Sequence, residues 1–135
     1  MRVYAKTDIG KAREMNQDFY YVSQLNENMQ LCILADGMGG YKGGEIASSL
    51  ATNSAREYIE RKFELIKHSD EEIMNLIKES MEYANEIVYD KAKANEELEQ
   101  MGTTLEVCLL YNEKAYIKRV VREYKMLIEK MGSKI

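Results

Sequence analysis

Apolar and polar positions change their period several times along this chain. "VYAKTD" (3–8) and "DFYYVS" (18–23) alternate or cluster β-branched and aromatic residues. "MQLCILAD" (29–36) is a short apolar run that stops at Asp36. These patterns predict three strands, with Asn26 and Asn28 supplying a hairpin turn between the second and third. Beyond Gly44 the apolar spacing becomes helical: Ile46, Ala47, Leu50, Ala51, Ala55, Tyr58, Ile59, Phe63 and Ile66 share a stripe opposite Arg56, Glu57, Glu60 and Arg61. Ser69 followed by Glu72 marks the start of a second helix. Its stripe runs through Ile73, Leu76, Ile77, Met81, Ala84, Ile87, Val88 and Ala92, as far as Leu98. "MGTTLEVCLLY" and "KAYI" flank Asn112-Glu113 as a second hairpin. "KRVVREYKMLIEKMG" (118–132) reads as a last helix, with Gly132 as its C-cap. Three strands, two helices, two strands and one helix predict an α+β domain with helices layered on an antiparallel sheet.

Composition narrows the function classes. The 135 residues suit one domain, and 45% hydrophobic with 31% charged residues is a globular balance. A net charge of −4 offers no footprint for nucleic acid. No apolar run approaches the ~18 residues of a membrane span, and the start has no signal-peptide core, so the expected location is cytoplasmic. Cys32 and Cys108 lie far apart in apolar runs, match no redox or zinc spacing, and are expected to be buried free thiols.

The chemistry concentrates in "ILADGMGGYKGGEIAS" (33–48), which holds five of the eight glycines within eight positions. Phosphate-loop templates fail here: Lys42 is followed by Gly43 rather than Ser or Thr, and a dinucleotide fingerprint begun at Gly37 would end on Lys42. A tight strand-to-helix turn accounts for the glycines. So does a hard-cation site on Asp36, with glycines letting the Gly37 carbonyl turn to the ion. The second needs partners, and "GKAREMNQD" supplies them. If the second and third strands pair, Asp18 lies close to Asp36, and Arg13 offers a planar fork for phosphate oxygens.

"TDIGKAREMNQD", "LADGMGGYKGGEIAS" and "MGTTLEVCLLYNEKAYI" resemble, in order and spacing, the opening half of the protein phosphatase 2C family, in its bacterial form, over about residues 5–117. The resemblance implies part of an α-β-β-α sandwich and a centre binding Mn2+ or Mg2+. It also implies hydrolysis of phosphoserine and phosphothreonine proteins by a metal-bound water. Asp36 matches the ligand of both metals, Gly37 the carbonyl ligand, Asp18 the ligand of the second metal, and Arg13 the phosphate-binding residue. Met101-Gly102-Thr103-Thr104 matches a motif leading into a core strand and is expected to be structural. His68, in the helix connection, matches nothing and is expected to be exposed and idle.

The resemblance breaks after "EKAYI". The chain thus divides into 1–117, half of a phosphatase-like domain, and 118–135, a divergent helix. Two later aspartates of the family have no counterpart, so weak metal occupancy and little or no activity are expected. The alternatives are a phosphoprotein-binding module without turnover and a truncated remnant. The tail's apolar stripe would either pack across an uncovered sheet or mediate self-association.

Overall fold

The computed structural model describes residues 18–39 and 42–120. Strand β1 (Asp18–Asn26) turns at Glu27-Asn28 into β2 (Met29–Met38), as the asparagines predicted. Helix α1 (Gly43–Lys62) follows, then a 3-10 turn at Phe63–Leu65 and helix α2 (Asp70–Ala94). A second 3-10 turn at Glu96–Leu98 leads to β3 (Gly102–Thr103), β4 (Leu105–Tyr111) and β5 (Lys114–Val120). The strands form an antiparallel sheet in the order β1-β2-β4-β5, with β3 paired to the end of β2.

Strict alternation gives this sheet two unlike faces. Met29, Leu31, Ile33 and Ala35 of β2 are buried, as are Leu105, Val107 and Leu109 of β4. They share one core with Ala47, Ala51, Ala55 and Ile59 of α1 and Ile73, Ile77, Met81 and Ala84 of α2. Both helices therefore cover the same face. On the other face Tyr20, Val22, Leu34 and Ile117 are exposed, and the described residues form no second sheet.

Three boundaries differ from the sequence pattern. Helix α2 ends at Ala94, and Leu98 reaches the core from the following 3-10 turn rather than from the helical stripe. The "MGTTLEVCLLY" run is split at Thr104 into β3 and β4. Strand β5 continues through Lys118, Arg119 and Val120, which pair with Val107, Glu106 and Leu105 of β4. Ladder pairing, with an Arg119–Glu106 ion pair at 3.9 Å, thus takes the start of the segment whose spacing reads as helical. The predicted strand at 3–8 and the remainder of the predicted last helix lie outside the described residues.

Local chemistry explains the long elements. The Ser69 hydroxyl accepts the Glu72 N–H at 3.2 Å, the N-cap that the sequence predicted. The Glu72 carboxylate accepts the Lys67 N–H at 3.0 Å, so the reciprocal half of the box reaches two residues further back. At the second hairpin Asn112 and Glu113 take φ values of 47° and 66°, the left-handed pair that a two-residue turn requires.

Candidate metal centre

Asp36 sits near the end of β2, and the β1–β2 register pairs it directly with Asp18. The turn at Glu27-Asn28 and a shift in pairing between Gln24 and Asn26 set that register. The two acidic residues, far apart in the chain, therefore become cross-strand neighbours along the backbone. One carboxylate oxygen of Asp36 is buried. Among the described residues no group of three or more His, Cys, Asp and Glu side chains clusters as a metal cage.

Thr104 holds the Asp36 backbone in an unusual way. The Thr104 N–H donates to the Asp36 carbonyl at 3.0 Å, as in an ordinary ladder. The return bond comes from the side chain instead: the Asp36 N–H donates to Thr104 Oγ1 at 3.0 Å. The Thr104 carbonyl is occupied by the Thr103 hydroxyl at 2.8 Å. This exchange of one hydroxyl for one carbonyl interrupts the strand between β3 and β4 while the pairing register continues unchanged on both sides. The "GTT" motif, expected to be merely structural, thus fixes the backbone of the candidate ligand. A hydrogen-bonding Thr one strand away leaves no mark in residue spacing, so the sequence pattern could not reveal it.

The glycines answer to packing. A Cβ on Gly37 would lie 1.8 Å from the Gly44 carbonyl oxygen in the first turn of α1. Gly39 adopts φ +104°, and a Cβ there would meet Gln100 and Met101 backbone at 2.3 Å. A Cβ on Gly43 would stand 2.9 Å from Met101 Cβ. The end of β2, the start of α1 and the segment before β3 meet backbone to backbone, which only glycine permits. Of the two explanations offered by the sequence, the tight strand-to-helix junction accounts for these three positions without a cation. Because Asp36 aims both backbone groups at Thr104, strand alternation turns the Gly37 carbonyl to the opposite side, that of β1.

The remaining sequence candidates divide. Arg13 lies outside the described residues, and of Asp18 only the backbone pairing is described. His68 is not idle: it is half-buried, its ring stacks on Phe63 at 4.2 Å, and its Nε2–H donates to the Phe63 carbonyl at 2.7 Å. Its Nδ1 lies 3.1 Å from the Tyr111 hydroxyl, tying the helix connection to β4.

The model of the family described as protein phosphatase 2C matches residues 10–120, the greater part of the chain. The chain belongs to the protein phosphatase 2C family. A phosphatase 2C-type protein of Streptococcus pyogenes is 35% identical over 116 residues, covering 85% of this chain and 45% of that protein. The serine/threonine phosphatase stp of Listeria monocytogenes is 28% identical over 120 residues, 89% of this chain and 47% of its own. Among solved structures, a bacterial serine phosphatase bearing an R161E mutation superimposes with a TM-score of 0.71 at 27% identity, over 87% of this chain and 59% of that one. The chain spans about half the length of the curated relatives it matches. The sheet with two helices on one face is the corresponding part of the phosphatase 2C fold. Among the described residues no helix is long and apolar enough to cross a membrane.

Proposed function

We propose that this phosphatase 2C-family chain carries the cation-holding acids and the phosphate-binding arginine of a phosphoserine and phosphothreonine protein phosphatase. The observation that carries the proposal is the register pairing Asp18 with Asp36. The donor set fits a hard divalent ion, Mn2+ or Mg2+, because two carboxylates and the Gly37 carbonyl are all oxygen ligands. Asp18 and Asp36 would hold the ion, with Thr104 keeping the Asp36 backbone from shifting along β2. Arg13 would bind the phosphoryl oxygens through its guanidinium fork. A divalent ion bound there supplies Lewis acidity and lowers the pKa of water. Phosphorylated partner proteins belong to the same proposal, supported by relatives whose names specify serine/threonine phosphatases; a cytoplasmic location is proposed with it.

Three oxygen donors leave much of a divalent ion's coordination shell to water, so binding by this chain is weak and its turnover low. Calorimetric titration of Mn2+ into the chain and into Asp36→Asn tests the site. The expected outcome is one weak site that Asp36→Asn weakens at least tenfold. Equal binding by both proteins would remove Asp36 from the centre. Phosphothreonine-peptide hydrolysis, and peptide affinity lost on Arg13→Ala, then separate slow catalysis from recognition alone.

A further inference from the structure

The two cysteines, distant in the chain and absent from the centre above, are direct cross-strand partners. Cys32 of β2 faces Cys108 of β4 in the sheet register. Neither belongs to the buried core; both are half-buried free thiols on the face away from the helices. They form the middle of a row across four strands, Val22–Cys32–Cys108–Ile117, and Val22 and Ile117 are exposed. The expectation of two buried free thiols is therefore corrected in their burial: both are free, and strand pairing brings them together, half-buried, on the face away from the helices.

The geometry of the pair can be fixed from the ends of the ladder. The Thr104 N–H donates to the Asp36 carbonyl, and the Asn112 N–H donates to the Asn28 carbonyl at 3.2 Å. Every second pair between these ends carries the ladder bonds, so Cys32 and Cys108 are a hydrogen-bonded pair, with Cα atoms about 5.5 Å apart. That matches the commonest Cα separation of disulfides, roughly 5.5–6 Å. The Cβ atoms of opposed residues stand about 4.5–5.5 Å apart, widest in such pairs, whereas a relaxed disulfide wants roughly 3.5–4.5 Å. A bond between them is within reach and strained, which makes it easy to reduce.

We propose that Cys32 and Cys108 form a redox-sensitive dithiol, closed by hydrogen peroxide into a disulfide that links β2 to β4 and opened again by thiols. One cysteine thiolate attacks peroxide, breaking the O–O bond; its sulfur becomes a sulfenic acid, and the departing hydroxide takes up the proton given by that thiol to leave as water. The second sulfur then attacks the sulfenic sulfur: the S–S bond forms, the S–O bond breaks, and the oxygen leaves as water with the second thiol's proton. Two thiols lose two electrons, and one peroxide becomes two waters. Burial pushes both thiols up; the negative charge of Glu106 adds to the effect on Cys32, and the neighbouring Cys32 followed by Glu106 adds to that on Cys108, so the thiolate form grows scarce toward neutral pH. Closure is therefore slow near pH 7 and accelerates with alkalinity.

The chain has only two cysteines, so mapping the product is unambiguous. The full chain, fully reduced, is exposed to hydrogen peroxide at several pH values, quenched, digested and analysed by mass spectrometry without reductant. The expected result is an internal link between the Cys32 and Cys108 peptides, reversed by glutathione, with a rate rising about tenfold from pH 7 to pH 8. Cys32→Ser and Cys108→Ser each abolish it. Wild-type protein alkylated beforehand provides the same control without a substitution that could disturb folding. Sulfinic acids formed independently on each cysteine, or links only between molecules in dilute protein, would overturn the proposal.

Discussion

Thr52 faces the core of α1 with its hydroxyl fully buried and, among the described residues, without a hydrogen-bond partner. A buried hydroxyl that has lost water and found no acceptor costs roughly 1–3 kcal/mol. Thr52→Val keeps the branched shape and removes the polar atom, so it is expected to raise stability by about 1 kcal/mol. Urea unfolding would register this as a higher midpoint at unchanged slope; a lower midpoint would mean that the hydroxyl makes a stabilising bond. The sequence hid this position because its helical stripe counted only apolar residues. In fact Ser48, Thr52 and Ser54 are buried on α1 beside Ala47, Ala51 and Ala55. Small side chains, polar or not, let that helix approach the sheet closely. Asp36 was legible as a lone carboxylate ending an apolar run. Its dependence on Thr104 was not, because the two meet only across paired strands.

At the scale of elements, the junction of α2 with β5 is built from charge and one phenol. The Tyr116 hydroxyl donates to Asp70 Oδ1 at 2.6 Å, and Lys114 Nζ donates to the same oxygen at 3.1 Å. The Tyr116 hydrogen bond, followed by Lys114, holds the Asp70 carboxyl below its ordinary value. The same bond pushes the Tyr116 phenol up to about 12. Asp70, with its value lowered on folding, contributes stability that is present above the ordinary carboxylate range and lost as pH falls through the lowered value. Tyr116, with its value raised, contributes stability that is intact below about pH 10 and lost as pH rises toward 12. Melting temperature should therefore decline on the alkaline side of pH 10, and Tyr116→Phe should flatten that decline. Absorbance titration of tyrosinate should lose a phenol titrating near 12 in the same variant. If the alkaline decline is unchanged in Tyr116→Phe, the junction does not depend on this bond. The helix start itself was readable from Ser69 and Glu72, because a cap is a local interaction. The continuation of β5 to Val120 was not, because its partners on β4 lie beyond the hairpin turn.

For the molecule as a whole, three segments meet backbone to backbone where β2 ends, α1 begins and the segment before β3 passes. Gly37→Ala would drive a Cβ into the Gly44 carbonyl and push the sheet away from α1. The neighbouring atoms are backbone and cannot rotate aside, so the loss is expected near the upper end of overpacking, about 3 kcal/mol. Chemical denaturation should show the whole transition moving to lower urea in one step. A variant as stable as the parent would show that the junction can open without consequence. The same displacement would move Asp36, so weaker Mn2+ binding should accompany the lost stability.

By itself the sequence determined the local features: both long helices, the N-cap at Ser69, the turns at Asn28 and Asn112, and the glycine-rich junction after an acidic residue. Each depends on residues within a few positions of one another, where spacing and propensity carry the information. The tertiary structure decided what distant segments do to each other. It paired Asp18 with Asp36 and Cys32 with Cys108, set Thr104 against the Asp36 backbone, and gave Gly37 its reason in the first turn of α1. Strand register is a property of two segments at once, and a shift of one residue would have parted each of these pairs.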